Sequence, residues 1–164
     1  MIRIEKLAGH DRSRFDCGVT ELDNWLRTQA SQQQRKDNVV TFVAVDPRDR
    51  RVIGYYSSQT YRLELAEADT AFGVGARRYP VPAILLARLA VCRSAQGQRI
   101  GEQLLVHALR SAAEVAARVG VELVVVHAIS DSAVEFYKRY GFTQFVDLDR
   151  SLFITIRTVR TLLE

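Results

Sequence analysis

The chain has 164 residues, 48% of them apolar and 26% charged, a length and balance that fit one globular domain with a real core and exclude disorder, collagen-like repeats and coiled coil. Its 23 basic and 19 acidic residues leave a net charge of +4, a mild bias that permits a polyanionic partner without requiring one. The most apolar stretches, 83–92 and 123–129, are about half as long as a bilayer-spanning helix and are interrupted by Arg88 and His127, so no membrane span is expected.

The opening residues place Arg3, Glu5 and Lys6 where a secretory signal carries an unbroken apolar core, which predicts a cytoplasmic protein. Ile2 and Ile4 alternate with charged neighbours, as in a half-buried strand over 2–7. Thr20-Glu21-Leu22-Asp23 reads as a helix start, with the Thr20 hydroxyl available to the Asp23 amide and with Leu22, Trp25, Leu26 and Ala30 on one face. β-branched and aromatic runs at 39–46 and 52–63 flank a short polar loop and predict an antiparallel hairpin. Residues 66–82, with Gly73, Gly75, Pro80 and Pro82, read as a loop before a third strand over 83–92.

From Ile100 the apolar residues keep a helical period through Leu104, Leu105, Ala108, Leu109, Ala112 and Val115 until Gly120, where a left-handed cap is easy for glycine. A buried strand over 121–129 follows. After it comes a short helix over 131–140 with a Ser132/Glu135 capping box, stopped by Gly141. Leu152, Ile154 and Ile156 alternate in a closing strand. Hairpins combined with a strand-helix-strand crossover give an α/β fold with a mixed sheet.

Two cysteines, Cys17 and Cys92, and three scattered histidines, His10, His107 and His127, show no metal-ligand spacing. The informative segment is residues 87–101, where a buried strand runs through a Gly-containing loop directly into the long helix. A helix start leaves its first amides unpaired and carries partial positive charge, so this junction suits a phosphate or pyrophosphate. By itself the signal is weak, because most such turns contain glycine for backbone reasons.

The second piece is the run Ala133-Val134-Glu135-Phe136-Tyr137-Lys138-Arg139-Tyr140-Gly141-Phe142. Together the Q-x-x-G-x-G-like loop from Gln96 to Gly101 and this A-x-x-F-Y-x-x-x-G-F helix resemble the GNAT N-acetyltransferases. Further stretches, among them Phe15-Asp16-Cys17-Gly18, Leu22-Asp23-Asn24-Trp25-Leu26, Pro80-Val81-Pro82, Arg88-Leu89-Ala90-Val91 and the closing strand over 152–159, are similar to the GNAT toxins of type II toxin-antitoxin modules.

The resemblance implies a single acetyltransferase domain over 1–164, with a mixed, mostly antiparallel sheet of about six to seven strands flanked by helices. It also implies acetyl-CoA as cosubstrate, held by Leu89, Ala90, Val91, Gln96, Gly97, Gln98, Arg99, Ile100, Gly101, Ser132 and Phe136, with no metal. Aminoacyl-tRNA would be the acceptor, and acetylation of its α-amino group would block translation. A ribbon-helix-helix antitoxin would hold the enzyme in check, and the chain would form a homodimer. Two other functions share these motifs: an acetyltransferase for a protein N-terminus or small amine, and a non-catalytic CoA- or RNA-binding regulator.

Within this reading, backbone amides at the splayed end of residues 89–91 donate to the oxyanion and Tyr137 protonates the departing sulfur. An aminoacyl amine is largely neutral near pH 7 to 8, so no strong base is needed. Candidate tRNA contacts are Arg27, Arg35 and Lys36 on and after the first helix, Arg77 and Arg78 before the active-site strand, and Arg93 after it. His127 and His107 read as structural, Cys92 lacks a His partner, and Cys17 packs. Arg88, inside an apolar strand, calls for either an ion pair or a substrate.

One residue departs from the family pattern: Arg99 stands where the loop motif has glycine. The reading adopted is an ordinary helical φ, which tolerates the side chain and lets its guanidinium pair with phosphate; the alternative is a Cβ that crowds the pyrophosphate.

Overall fold

Residues 2–164 are described by a computed structural model. Strands β1 (Arg3–Lys6), β2 (Val40–Val45), β3 (Val52–Leu63), β4 (Val81–Val91), β5 (Leu123–His127), β6 (Thr143–Gln144) and β7 (Ser151–Thr155) form one sheet in the order β1-β2-β3-β4-β5-β7-β6. The helices are α1 (Thr20–Thr28), α2 (Ala30–Arg35), α3 (Leu65–Phe72), α4 (Ile100–Ala116), α5 (Asp131–Arg139) and α6 (Ile156–Leu162). Pairing is antiparallel for β1/β2, β2/β3, β5/β7 and β6/β7 and parallel for β4/β5, so the sheet is mixed and mostly antiparallel, as expected. Among the described residues no helix is long and apolar enough to cross a membrane.

Backbone contacts divide the chain into two units, one holding the residues up to Gln59 with Ala87–Ala108, the other Thr60–Leu86 with Leu109–Glu164. In the first, Tyr55 is fully buried, with Phe15 edge-on at 5.5 Å and Trp25 stacked at 6.0 Å, and its hydroxyl donates to the Leu22 carbonyl at 2.8 Å. This ties α1 to β3. The α1 start differs from expectation: Thr20 is already helical and Val19 caps without a side-chain bond. Asp23, 6% exposed, instead accepts the Cys17 amide at 2.8 Å, which fastens the loop before α1.

Gly54 lets α4 approach β3 closely. A Cβ there would stand 2.9 Å from Leu104 Cδ1, 3.2 Å from the Ala90 carbonyl oxygen and 3.3 Å from Ile100 Cγ2. The leucine tip can swing away, but the backbone oxygen cannot. Gly54→Ala is therefore expected to cost about 1–3 kcal/mol, read as a Tm lower by several degrees in thermal unfolding. An unchanged Tm would show that the sheet and helix part freely.

The second unit packs Leu63, Val81, Leu123, Val125, Phe145 and Phe153 into one cluster. Strand β5 is buried at four successive positions, as a strand covered on both faces must be. Two elements depart from the sequence reading. The loop expected over 66–82 begins with α3, because Glu64 and Glu67 form a reciprocal capping box and Gly73, at φ 100°, ends the helix. The closing strand stops at Thr155, whose hydroxyl accepts the Thr158 amide at 3.1 Å and starts α6. Helix α4 ends at Ala116, and Gly120 does not adopt the left-handed φ expected of a cap.

Candidate active site

The junction of β4 and α4 lies in the first unit. Strand β4 pairs with β5 only from Ala83 to Leu86 and then runs on to Val91. The Cys92 amide donates to the Ile53 carbonyl at 2.8 Å, and amides alternate in direction along a strand. The amides of Leu89 and Val91 therefore face the opposite edge, where β4 has outrun its pairing with β5. Two amides free of the sheet ladder are what an oxyanion requires.

Beyond the strand, a short helical turn (Arg93–Ala95) leads into the loop. The Gln96 amide side chain ties the loop down, donating to Val91 O at 3.1 Å and Cys17 O at 3.4 Å. Gly97 has φ 84° and Arg99 φ 60°. Left-handed residues alternating with an ordinary one give the backbone form of an anion-binding nest. The first bond of α4 runs from the Gln103 amide to the Arg99 carbonyl at 3.2 Å, so the amides of Ile100, Gly101 and Glu102 precede the ladder. Gly97, Gln98 and Arg99 are exposed, while Ile100 is buried and anchors the turn. Residues 96–101 thus fit a pyrophosphate.

The φ of Arg99 corrects the helical value expected for it. The backbone is in the left-handed region that suits the family's glycine, and the Arg side chain is carried there with its Cβ strained. Arg99→Gly is expected to be about 1 kcal/mol more stable than Arg99→Ala, measured by denaturant unfolding. Equal stabilities would mean that the positive φ is not imposed by the loop.

Tyr137 lies in the second unit on α5. The helix starts at Ser130, whose Oγ accepts the Ala133 amide at 3.1 Å; Ser132 does not form the expected capping box and instead meets Ser130 Oγ at 3.0 Å. The helix ends in a Schellman motif: Gly141, at φ 96°, donates to the Lys138 carbonyl, and the Phe142 amide donates to the Tyr137 carbonyl at 3.2 Å. The side chains of Tyr137 and Phe142 complete that motif with rings 5.3 Å apart, and Phe136 packs edge-on to Tyr137 at 5.2 Å. The spacing F-Y-x-x-x-G-F is thus the spacing of a helix end that locks one tyrosine ring.

Tyr137 is buried, and its hydroxyl has no hydrogen-bond partner among the described residues. Burial pushes its pKa well above the ordinary phenol value. The group stays protonated and can act as an acid but not as a base.

The six cations expected to meet tRNA have different circumstances. Arg27 donates to the Phe15 carbonyl and to Asn24 Oδ1 at 3.3 Å. Arg77 pairs with Glu122 through two bonds and lies 4.0 Å over the Phe72 ring. Arg93 pairs with Asp16 at 3.4 Å. Arg35, Lys36 and Arg78 are exposed and make no ion pair among the described residues. Arg157, inside the expected closing strand, and Arg160, just beyond it, were not among the expected RNA contacts; both lie on α6 and line a groove with Arg77 and Glu122.

His107 and His127 have structural partners. His107 Nδ1 meets the Tyr56 hydroxyl at 2.7 Å, and His127 Nδ1 meets Ser151 Oγ at 3.0 Å. Burial, then the bond to Asp23, push the Cys17 thiol up to about 11, so it is not a nucleophile near neutrality. No group of three or more metal-ligating side chains occurs among the described residues.

Residues 37–144 match the family described as an acetyltransferase (GNAT) domain. The chain is 36% identical over 135 residues to a Mycobacterium tuberculosis protein named tRNA-acetylating toxin, covering 80% of this chain and 78% of that one. Among solved structures it is similar to AtaT complexed with acetyl-methionyl-tRNAfMet, with TM-score 0.89, 28% identity and full coverage of both chains. It is also similar to a Tyr-to-Phe variant of AtaT bound to acetyl-CoA and the C-terminus of the antitoxin AtaR, with TM-score 0.86 and 29% identity over 99% of this chain and 98% of that one.

Proposed function

The chain belongs to the GNAT acetyltransferases, and from that premise we propose that it moves the acetyl group of acetyl-CoA to the α-amino group of an aminoacyl-tRNA and so blocks translation. The observation that carries this reading is its likeness, over most of the chain, to a relative named for tRNA acetylation. Residues 1–164 act as one acetyltransferase domain in the cytoplasm. A cognate ribbon-helix-helix antitoxin neutralises it, and the active form is a homodimer.

Each part of the chain has a task in this chemistry. The nest and free amides over residues 96–101 bind the pyrophosphate, with Arg99 beside it as a cation. Ser132 and Phe136 line the cofactor's path. A neutral amine attacks the thioester carbon, the amides of Leu89 and Val91 with the Ala90 peptide between them hold the oxygen that gains charge, and the C–S bond breaks. Tyr137 gives its proton to the departing sulfur, and the proton that the attacking nitrogen must shed returns through water to the phenol, which leaves the free thiol, the N-acetyl product and an unchanged tyrosine. Arg27, Arg35, Lys36 and Arg93 in the first unit and Arg77 and Arg78 in the second are the cations assigned to RNA, with Arg35, Lys36 and Arg78 the members free to meet phosphate.

Purified protein incubated with radiolabelled acetyl-CoA and charged tRNA should yield acetyl-aminoacyl-tRNA. Labelling of peptide N-termini with no labelling of charged tRNA would overturn the reading in favour of a protein or small-amine acetyltransferase. Acetyl-CoA binding without turnover on any amine would identify a regulator.

A further inference from the structure

Arg88 leaves β4 half-buried and meets no carboxylate. Its Cζ lies 3.8 Å over the Trp25 ring, and its Nη1 donates to Ser57 Oγ at 3.4 Å. Among the described residues it has no acidic partner. Burial draws its pKa below the usual guanidinium value, with Tyr55 acting in the opposite direction. Tyr55 supplies no counter-charge, because burial raises its own pKa far above neutrality and keeps the phenol uncharged.

The surroundings are more polar than folding requires. Ser57 is fully buried, and in the β2/β3 register it sits opposite Thr41, also fully buried, whose Oγ1 has no hydrogen-bond partner among the described residues. Three adjacent strands therefore carry Thr41, Ser57 and Arg88, a polar row left without an anion. A desolvated cation costs stability unless an anion meets it. With Cζ over the indole and one N–H on Ser57, the guanidinium has further N–H donors to offer, and such donors suit the paired oxygens of a phosphate.

Arg88 directly precedes Leu89, whose amide is assigned to the oxyanion, so an anion bound to Arg88 belongs to the acceptor close to its reacting amine. A peptide N-terminus or a small amine carries no negative charge there by necessity. An aminoacyl-RNA always does, in the phosphodiester joining its last two nucleotides. Resting on the function proposed above, we infer that Arg88, oriented by Trp25 and Ser57, binds that last phosphodiester and makes the enzyme select amines carried on RNA.

The test compares kcat/KM for two acceptors bearing the same amino acid: aminoacyl-adenosine, with no phosphate, and aminoacylated CpA, with a single phosphodiester. Wild-type enzyme is expected to prefer the second by at least about 30-fold. Arg88→Gln, which keeps the reach but not the charge, should bring that preference to within about threefold, and Arg88→Lys should recover an intermediate value. A purely structural role would lower both rates together, so a wild-type preference that survives in Arg88→Gln overturns the inference. So does a wild-type enzyme that acetylates both acceptors equally. Acetylation of peptides but of neither acceptor would instead overturn the function on which the inference rests.

Discussion

Tyr137→Phe is expected to lower turnover on aminoacyl-tRNA by roughly 100-fold while leaving acetyl-CoA affinity within about twofold. The substitution removes one oxygen from a ring that Phe136, Phe142 and the helix-end motif hold in place, so the fold has no reason to change. Under the proposed mechanism only the proton donor is lost. Single-turnover kinetics with saturating acetyl-CoA, together with calorimetry, separate the two effects. Full activity in the variant would show that Tyr137 merely packs and that water or another group protonates sulfur.

The same residue sets a pH dependence with a definite sign. Because burial raises the Tyr137 pKa above the ordinary phenol value near 10, the acid remains protonated throughout the neutral and mildly alkaline range. Activity should rise with pH as the acceptor amine loses its proton and should show no decline below about pH 10 attributable to this group. A decline near pH 8 that Tyr137→Phe abolishes would mean that the tyrosine titrates low and acts differently.

Reversing Arg35, Lys36 and Arg78 together to Glu is expected to cut kcat/KM for aminoacyl-tRNA by at least about 100-fold near physiological salt, and to flatten its logarithmic salt dependence by about 2–3. These three are exposed and free of ion pairs among the described residues, so their charges are available to phosphate. The net charge of +4 is too small to hold RNA by bulk attraction, so local contacts must supply the affinity. Arg77 serves as the control: Arg77→Glu would set two carboxylates against each other at Glu122 and should register first as lost stability. Unaltered rates and salt dependence in the triple variant would remove these residues from the RNA-binding surface.

Several parts of the molecule were legible from residue order alone because they depend on neighbours a few positions away. The α4 period, the hairpin of β2 and β3, and the Tyr137-to-Phe142 helix end are all of this kind: amphipathic spacing, β-branched alternation, and a glycine at the one position needing positive φ. Cap assignments were less secure, because several hydroxyls and carboxylates compete within two or three residues of each helix start. Ser130 rather than Ser132 caps α5, Glu64 and Glu67 start α3, and Thr155 turns an expected strand into α6.

Residue order alone carried the family, through its two motifs, and the sheet class, and it located the Gly-containing turn proposed for phosphate and the tyrosine proposed as the acid, since each lies in contiguous residues. Tertiary structure decided which charges are free. Arg77 and Arg27 look like any surface arginine until Glu122 and the Phe15 carbonyl are brought beside them, and Arg88 looks like half of an ion pair until Trp25 and Ser57, and no carboxylate, are found against it. Residue order also did not show the backbone of Arg99, whose φ of 60° is one that an arginine rarely adopts. The partners of a charge, and the φ a loop imposes, depend on residues distant in the chain and near in space, and residue order alone does not specify that proximity.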